Sequence, residues 1–377
     1  PYGGELKLTL INGLNGNTIW DYEPDENYIF RSVDISDDGN WIVAAADPLG
    51  SSEVAPGILV FNKDSNEPEW TFYVSEDDAD DDEYGKSRAV ISGNGEYILS
   101  YLSDGPDFVK YYYFSIDSAN PEWDYDISVP SGFGIDRYYY PYLSLTNDGK
   151  ASAVNSGYDN DGGYYGSLKY FGYNSSPIWH HNYTQNMVAH EISGNGDYLC
   201  IVRGGNYVGG FEVLDNQGNR VVIRNETFDT KGSSAGCAVS FDGRYAAGQY
   251  GNKDEDRPEV IVYNSISGEL IYSRNHSVTS EDISMDWEGR WVATADDNDN
   301  DHRAPLIIEN RIPKVNFGSN IAYVKNTNVS FETLFQKSSG NITNLNWKLN
   351  GANYTTGASM SFQPSNTGEH SVSLQAV

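Results

Sequence analysis

The sequence predicts an all-β fold in two parts, and three observations point to it. One seven-residue phrase returns six times, each time where a tight turn would join two apolar strands. Elsewhere apolar residues run continuously or alternate with polar ones over short stretches, and none keeps the period of an amphipathic helix. Composition changes near Arg311, and the phrase does not return after it.

The phrase is an apolar residue, Ser or Thr, two variable positions, Gly, any residue, and usually an aromatic. It reads Ile35-Ser36-Asp37-Asp38-Gly39-Asn40-Trp41, Ile91-Ser92-Gly93-Asn94-Gly95-Glu96-Tyr97 and Leu145-Thr146-Asn147-Asp148-Gly149-Lys150-Ala151. It continues as Ile192-Ser193-Gly194-Asn195-Gly196-Asp197-Tyr198 and Val239-Ser240-Phe241-Asp242-Gly243-Arg244-Tyr245, and ends in a degenerate copy, Met285-Asp286-Trp287-Glu288-Gly289-Arg290-Trp291. The six glycines are 56, 54, 47, 47 and 46 residues apart. Asp-Gly and Asn-Gly supply the positive φ a hairpin turn needs, and apolar strands such as Trp41-Ile42-Val43-Ala44-Ala45-Ala46 flank it. A second hairpin follows, as in Ile58-Leu59-Val60-Phe61 and Glu69-Trp70-Thr71-Phe72-Tyr73, with Trp20, Trp70, Trp123 and Trp179 at matching points of the outer strand. Four strands per unit of about fifty residues is the pattern of a β-propeller blade. We letter them a to d from the inside out. The N-terminal segment reads as a c–d pair without an a–b pair. Six blades follow, the preferred count, if that pair completes the last blade; seven follow if an inner pair precedes Pro1.

Residues 1–311 form the expected propeller, closed by both termini in one blade, and residues 312–377 a separate module. The module carries Lys314, Lys325, Lys337 and Lys348 against Glu332 and Glu369, a net of +2 that leaves −32 for the rest of a chain whose total is −30. Short alternating runs such as Leu345-Asn346-Trp347-Lys348-Leu349 and His370-Ser371-Val372-Ser373-Leu374 suit an immunoglobulin-like sandwich.

At 377 residues, 38% hydrophobic and 14% aromatic, the chain can build a large interior and is no disordered acidic tail. With 54 acids against 24 Lys and Arg, a nucleic-acid partner or an anionic leaflet is excluded. No apolar window is long enough to span a bilayer, and the first residues lack the basic and apolar regions of a signal peptide. Cys200 and Cys237 are too far apart for a zinc knuckle; they form one disulfide or remain two buried thiols.

The repeated phrase resembles the WD-like, TolB-like and quinoprotein-like propeller repeats of archaeal and bacterial surface proteins. The tail resembles a PKD-type module in Pro313-Lys314-Val315-Asn316-Phe317, Trp347-Lys348-Leu349-Asn350-Gly351 and Gly368-Glu369-His370-Ser371-Val372-Ser373-Leu374. The pairing is similar to archaeal surface-layer or adhesin-type exported proteins, which implies an extracellular, cell-surface location.

Acidic runs are the candidate metal sites. Asp77, Asp78, Asp80 and Asp82 lie in a d–a loop; Asp159 and Asp161, Asp254 and Asp256, and Asp297, Asp299 and Asp301 lie in b–c loops. In a propeller these loops share one face. Oxygen-rich loops suit calcium, and Asp297-Asn298-Asp299-Asn300-Asp301 has alternate-residue acid spacing, although His302 stands where the turn glycine belongs. A solvated acidic face explains the same residues without a metal. Sequons at Asn174, Asn182, Asn225, Asn275, Asn328, Asn341 and Asn353 are candidate glycosylation sites in an exported chain. Tyr111-Tyr112-Tyr113 and Tyr138-Tyr139-Tyr140 either pack in the core, the favoured role, or stack on sugars. His180, His181 and His190 make a poor metal site because they fall on different strands.

The expected function is non-enzymatic. The propeller would be a display platform, and the PKD-like module a spacer or assembly contact, in a surface layer, filament or adhesin. Expected partners are copies of the chain, other surface proteins, or glycans. Two alternatives stay open: a glycan- or protein-binding adhesin, and a hydrolase or quinoprotein-type oxidoreductase with its site in the channel. The enzyme needs polar groups converging on the a strands, yet Ser32-Val33-Asp34-Ile35 and Ala89-Val90-Ile91 read as packing.

Overall fold

The computed structural model describes residues 7–24, 28–48, 55–74, 86–103, 109–127, 134–135, 142–160, 163–184, 186–204, 208–227, 232–252, 259–275, 283–294, 306–309, 329–332, 345–349, 352–356, 359–362 and 372–376. Every regular element among them is a β-strand. Contacts divide the chain into two units, Pro1–Ile308 and Glu309–Val377.

The first unit begins with a two-stranded antiparallel sheet, β1 (Leu8–Ile11) and β2 (Thr18–Tyr22). The first four-stranded sheet follows: β3 (Tyr28–Ile35), β4 (Trp41–Pro48), β5 (Gly57–Asn62) and β6 (Trp70–Tyr73), hydrogen-bonded in that order. The second is β7 (Lys86–Ile91), β8 (Tyr97–Ser103), β9 (Val109–Ser115) and β10 (Trp123–Asp126). In the third, two short strands, β11 (Gly134–Ile135) and β12 (Leu143–Leu145), share one edge of β13 (Ser152–Asn160), and β14 (Gly163–Phe171) and β15 (Pro177–Tyr183) follow. The fourth is β16 (Asn186–Ile192), β17 (Tyr198–Gly204), β18 (Val208–Asp215) and β19 (Arg220–Thr227); the fifth is β20 (Gly232–Val239), β21 (Tyr245–Asn252), β22 (Glu259–Asn264) and β23 (Leu270–Asn275). The sixth has β24 (Ile283–Met285), β25 (Trp291–Thr294) and β26 (Leu306–Glu309). Its third place is held by β26, so β1 and β2 stand as a sheet of their own.

In all six sheets the repeated phrase turns the first strand into the second. Its glycines have φ of 69°, 72°, 71°, 75°, 72° and 67° in chain order. The Ser or Thr hydroxyl organises the turn. Ser36 Oγ donates to Asp38 at 2.7 Å and accepts the Trp41 N–H at 3.1 Å, while Asp38 accepts the Asn40 N–H at 2.9 Å. The same set recurs around Ser92 and Asn94, Thr146 and Asp148, Ser193 and Asn195, and Ser240 and Asp242. The degenerate copy keeps the device because the Asp286 carboxylate takes the hydroxyl's place and accepts the Trp291 N–H at 2.7 Å.

In the first five sheets the described middle-strand residues are buried on both faces and the outer strands on one, as a stack of face-packed sheets requires. Six apolar clusters each join one sheet to the next. They run from Leu8 with Phe61, through Val60 with Ile91, Tyr113 with Phe171, Leu168 with Ile201, and Phe211 with Val239, to Val260 with Ile283. Trp20, Trp70 and Trp179 each donate the indole N–H to a carbonyl in the next sheet's c–d turn, at Lys63 (2.9 Å), Ile116 (2.6 Å) and Asn216 (3.1 Å). β1 and β2 therefore stand to the first sheet as each outer pair stands to the sheet after it. All of Tyr111, Tyr112 and Tyr113 are buried, since β9 is covered on both sides; Tyr138, Tyr139 and Tyr140 lie outside the described residues.

One ionic cluster is buried in the fourth sheet and reaches the third. Glu212 pairs with Arg203 at 2.8 Å and Arg220 at 3.0 Å and accepts the Tyr183 hydroxyl at 3.3 Å. In the second unit, β27 (Val329–Glu332), β28 (Leu345–Leu349), β29 (Ala352–Thr356), β30 (Ser359–Phe362) and β31 (Val372–Ala376) make two antiparallel sheets, β27–β30 and β29–β28–β31.

Candidate functional site: the central channel

The inner strands β3, β7, β12, β16, β20 and β24 gather around one channel. At the turn end a cavity of about 360 Å³ is lined by the apolar residue that opens each phrase: Ile35, Ile91, Leu145, Ile192, Val239 and Met285. Backbone bonds link turn to turn around its rim. Asp37 N–H donates to Gly93 O at 2.9 Å, Asn94 N–H to Asn147 O and Asn147 N–H to Gly194 O at 2.8 Å, and Asn195 N–H to Phe241 O and Phe241 N–H to Trp287 O at 3.1 Å. Asn147 reaches across Gly93 to donate to the Asp37 carboxylate, and Phe241 lies over Gly194 and stacks on Trp287 at 3.5 Å between centroids. A side chain at Gly93 or Gly194 would collide with these groups.

Deeper polar groups clamp sheets together. Ser32 Oγ accepts the Ala89 N–H at 3.0 Å, and Asp34 accepts the Ile91 N–H at 3.0 Å. Burial raises the pKa of Asp34 against those bonds. Asp47 accepts from Ser87 Oγ at 2.6 Å and Arg31 Nε at 2.9 Å, yet burial pushes its pKa up to about 6.

A second cavity of about 340 Å³ is lined by Arg88, Tyr142, Ser144, His190, Glu191 and Cys237 among others. His190 is 5% exposed, and its Nε2 lies 3.1 Å from Ala153 O. A carbonyl accepts only, so Nε2 carries the proton and Nδ1 presents a lone pair. Burial lowers the His190 pKa to about 4, which keeps the ring neutral near pH 7. Its Nδ1 and the Oγ of Ser144 have no hydrogen-bond partner among the described residues. The Arg88 guanidinium lies over the Tyr142 ring at 4.9 Å. Two free polar atoms in a roomy cavity can hold ordered water or a small polar ligand.

Only some of the sequence candidates fall within the described residues. Cys200 and Cys237 do meet: both are buried in the cluster between the fourth and fifth sheets, as free thiols within hydrogen-bond reach, and burial raises both pKa values. Asp77, Asp78, Asp80, Asp82, Asp161, Asp254, Asp256, Asp297, Asp299 and Asp301 lie outside the described residues; Asp159 is described only as backbone of β13. Asn174, Asn182 and Asn225 are exposed, and Asn225 Oδ1 accepts from Arg203 at 2.7 Å. Asn275 and Asn353 are placed by backbone alone, while Asn328 and Asn341 lie outside the described residues. His180 is exposed on β15, His181 approaches Gly218 O at 2.9 Å, and His190 lies on β16. Among the described residues no group of His, Cys, Asp and Glu could hold a metal ion. The polar lining of the second cavity escapes the sequence reading because it is spread singly over the inner strands. Aligning the repeats on their glycines would have shown it: Ser144 and Glu191 share one column with Asp34, and His190 the column before it.

No protein-family model matches the chain, and no curated protein matches it. Solved structures do. Hydrazine synthase from Kuenenia stuttgartiensis superposes with a TM-score of 0.51 at 10% identity, over 80% of this chain and 89% of that one. A chain of the mitotic checkpoint complex gives 0.50 at 16% identity, over 77% and 81%. The Cps50 (Swd1) β-propeller domain of Myceliophteria thermophila gives 0.49 at 11% identity, over 81% and 91%. The first unit is a β-propeller. These likenesses extend to fold alone, and one fold carries both enzymes and scaffolds.

Proposed function

We propose that the chain is a non-enzymatic structural protein of an exported cell surface, its propeller a rigid display platform. Residues 312–377 act as a PKD-like, immunoglobulin-type spacer or assembly contact. The observation that carries this is the use made of polar groups on the inner strands: Ser32, Asp34 and Ser87 bond the next or preceding sheet. Rigidity of that kind suits a platform. The acidic loops supply the assembly chemistry, with calcium bridging the acidic face to neighbouring molecules and the +2 module meeting the acidic propeller of another copy. Sedimentation of the purified chain tests it. Assemblies should form with calcium and dissolve with chelator or added salt; monomer under all conditions would contradict it. Exposed Asn174, Asn182 and Asn225 are the sequons best placed to carry glycans.

The unpartnered Nδ1 of His190 and Oγ of Ser144 favour a second role, a ligand-binding or catalytic channel. Substituting His190 by Gln would then abolish ligand binding while leaving assembly intact. A glycan array separates an adhesin from a purely structural subunit.

A further inference from the structure

Each inner turn is seated against the sheet before it. A Cβ added to Gly95 would come within 3.0 Å of Trp41, and one on Gly243 within 2.8 Å of Tyr198; Tyr97 lies over Gly149, Tyr245 over Gly289, and Thr146 over Gly196. The aromatic that ends one phrase thus caps the glycine of the next, except where Ala151 ends the third. The two ends of the array break this pattern. Gly39 has the same positive φ, but no described residue lies within 4 Å of its added Cβ. Trp291, which ends the sixth phrase, is 38% exposed. On β3, Val33 and Ile35 are 56% and 47% exposed, whereas Ala89 and Ile91 at the same places on β7 are 2% and 6% exposed. Ala89 and Ile91 are covered because they pack on the first sheet. The outer flank of that first sheet is itself covered, since Leu8 and Trp20 pack on Ile42, Leu59 and Phe61. The first sheet therefore meets a preceding outer pair, while its inner strand has an uncovered face.

We propose that the ring is completed by one further inner β-hairpin carrying the same phrase, set between the sixth and first sheets and joined to the N-terminal side of β1. The ring then has seven blades. In all five complete sheets the inner hairpin precedes the outer pair along the chain. The new hairpin's glycine receives Trp291, its aromatic caps Gly39, and its second strand covers Val33 and Ile35 and pairs with the edge of β1 that has no strand partner among the described residues. The added hairpin would pair one edge of β1 and bury the exposed face of the first sheet, as radial repetition does in a propeller.

The test fuses a second copy of residues 28–48 directly before Pro1 of the full chain and follows a thiol at position 33. In the unfused chain Val33→Cys should react with a maleimide about tenfold faster or more than Ala89→Cys, as an open face does relative to a covered one. In the fused chain the two rates should converge and the melting temperature rise. Equal slow rates in the unfused chain at every concentration would mean that the ring closes on itself with six blades. Protection that grows with concentration would assign the face to a second copy. Either result, or a fusion that leaves the Val33→Cys rate unchanged, overturns the proposal. If the cysteine variants do not fold, hydrogen exchange in β1 replaces them: the fusion should slow it about tenfold, and no slowing overturns the proposal.

Discussion

His190 is a neutral imidazole held in a buried wall, and its burial makes it a pH-sensitive element of stability. Its folded pKa, about 4, lies below the unfolded value of 6.5. The unfolded chain therefore binds the proton first as pH falls, and stability from the neutral ring is present above pH 6.5 and lost towards pH 4. The wild type should lose about 3 kcal/mol more than His190→Gln between pH 7 and pH 4, read from urea unfolding at each pH. Asp47 has the opposite sign. Its folded pKa of about 6 exceeds the ordinary carboxylate value of 3.8, so stability present below pH 3.8 is lost as pH rises through 6. Asp47→Asn should gain on the wild type over that window in the same experiment. Glu212 makes a larger single contribution: truncating it to Ala removes the carboxylate that neutralises the buried Arg203 and should cost about 3–5 kcal/mol in chemical denaturation. None of these three was legible in the sequence. Each is an ordinary residue in a strand, and only the packing of two sheets makes it buried.

The inner turn is the element the sequence exposes most clearly. Its Ser or Thr, its Asp or Asn and its glycine each perform a local task, so a seven-residue window holds all the information. Gly39→Ala should cost about 1–2 kcal/mol, the price of a left-handed residue. Gly149→Ala should cost more, because its Cβ would also displace the Tyr97 ring of the preceding sheet. Equal costs, measured by denaturant midpoints, would argue that the seating carries no energy. The outer tryptophans were legible as a repeated feature but not as hydrogen-bond donors, since their acceptors lie about 40 residues away in another sheet. The channel polar groups stayed hidden for a related reason: adjacent repeats hold different residues at equivalent places, such as Ala89, Leu143, His190 and Cys237.

At the scale of the molecule, six phrases and their spacing made the propeller legible, while its blade number depends on which sheets meet at the ends of the array. Cys200 and Cys237 bear on the expected export. In an oxidising compartment they should join the fourth and fifth sheets by one disulfide, seen as the loss of two hydrogens in the intact mass. Reduction should then lower stability by about 2–4 kcal/mol. The charge of −30 is likewise divided, −32 on residues 1–311 and +2 on the module, and oppositely charged surfaces on two copies attract only while salt is low. Electron microscopy of the native surface, with and without chelator, tests the structural role most directly. The account predicts an ordered array or filament of propellers that loosens when divalent cations are removed. Dispersed single molecules, unchanged by chelator, would contradict it.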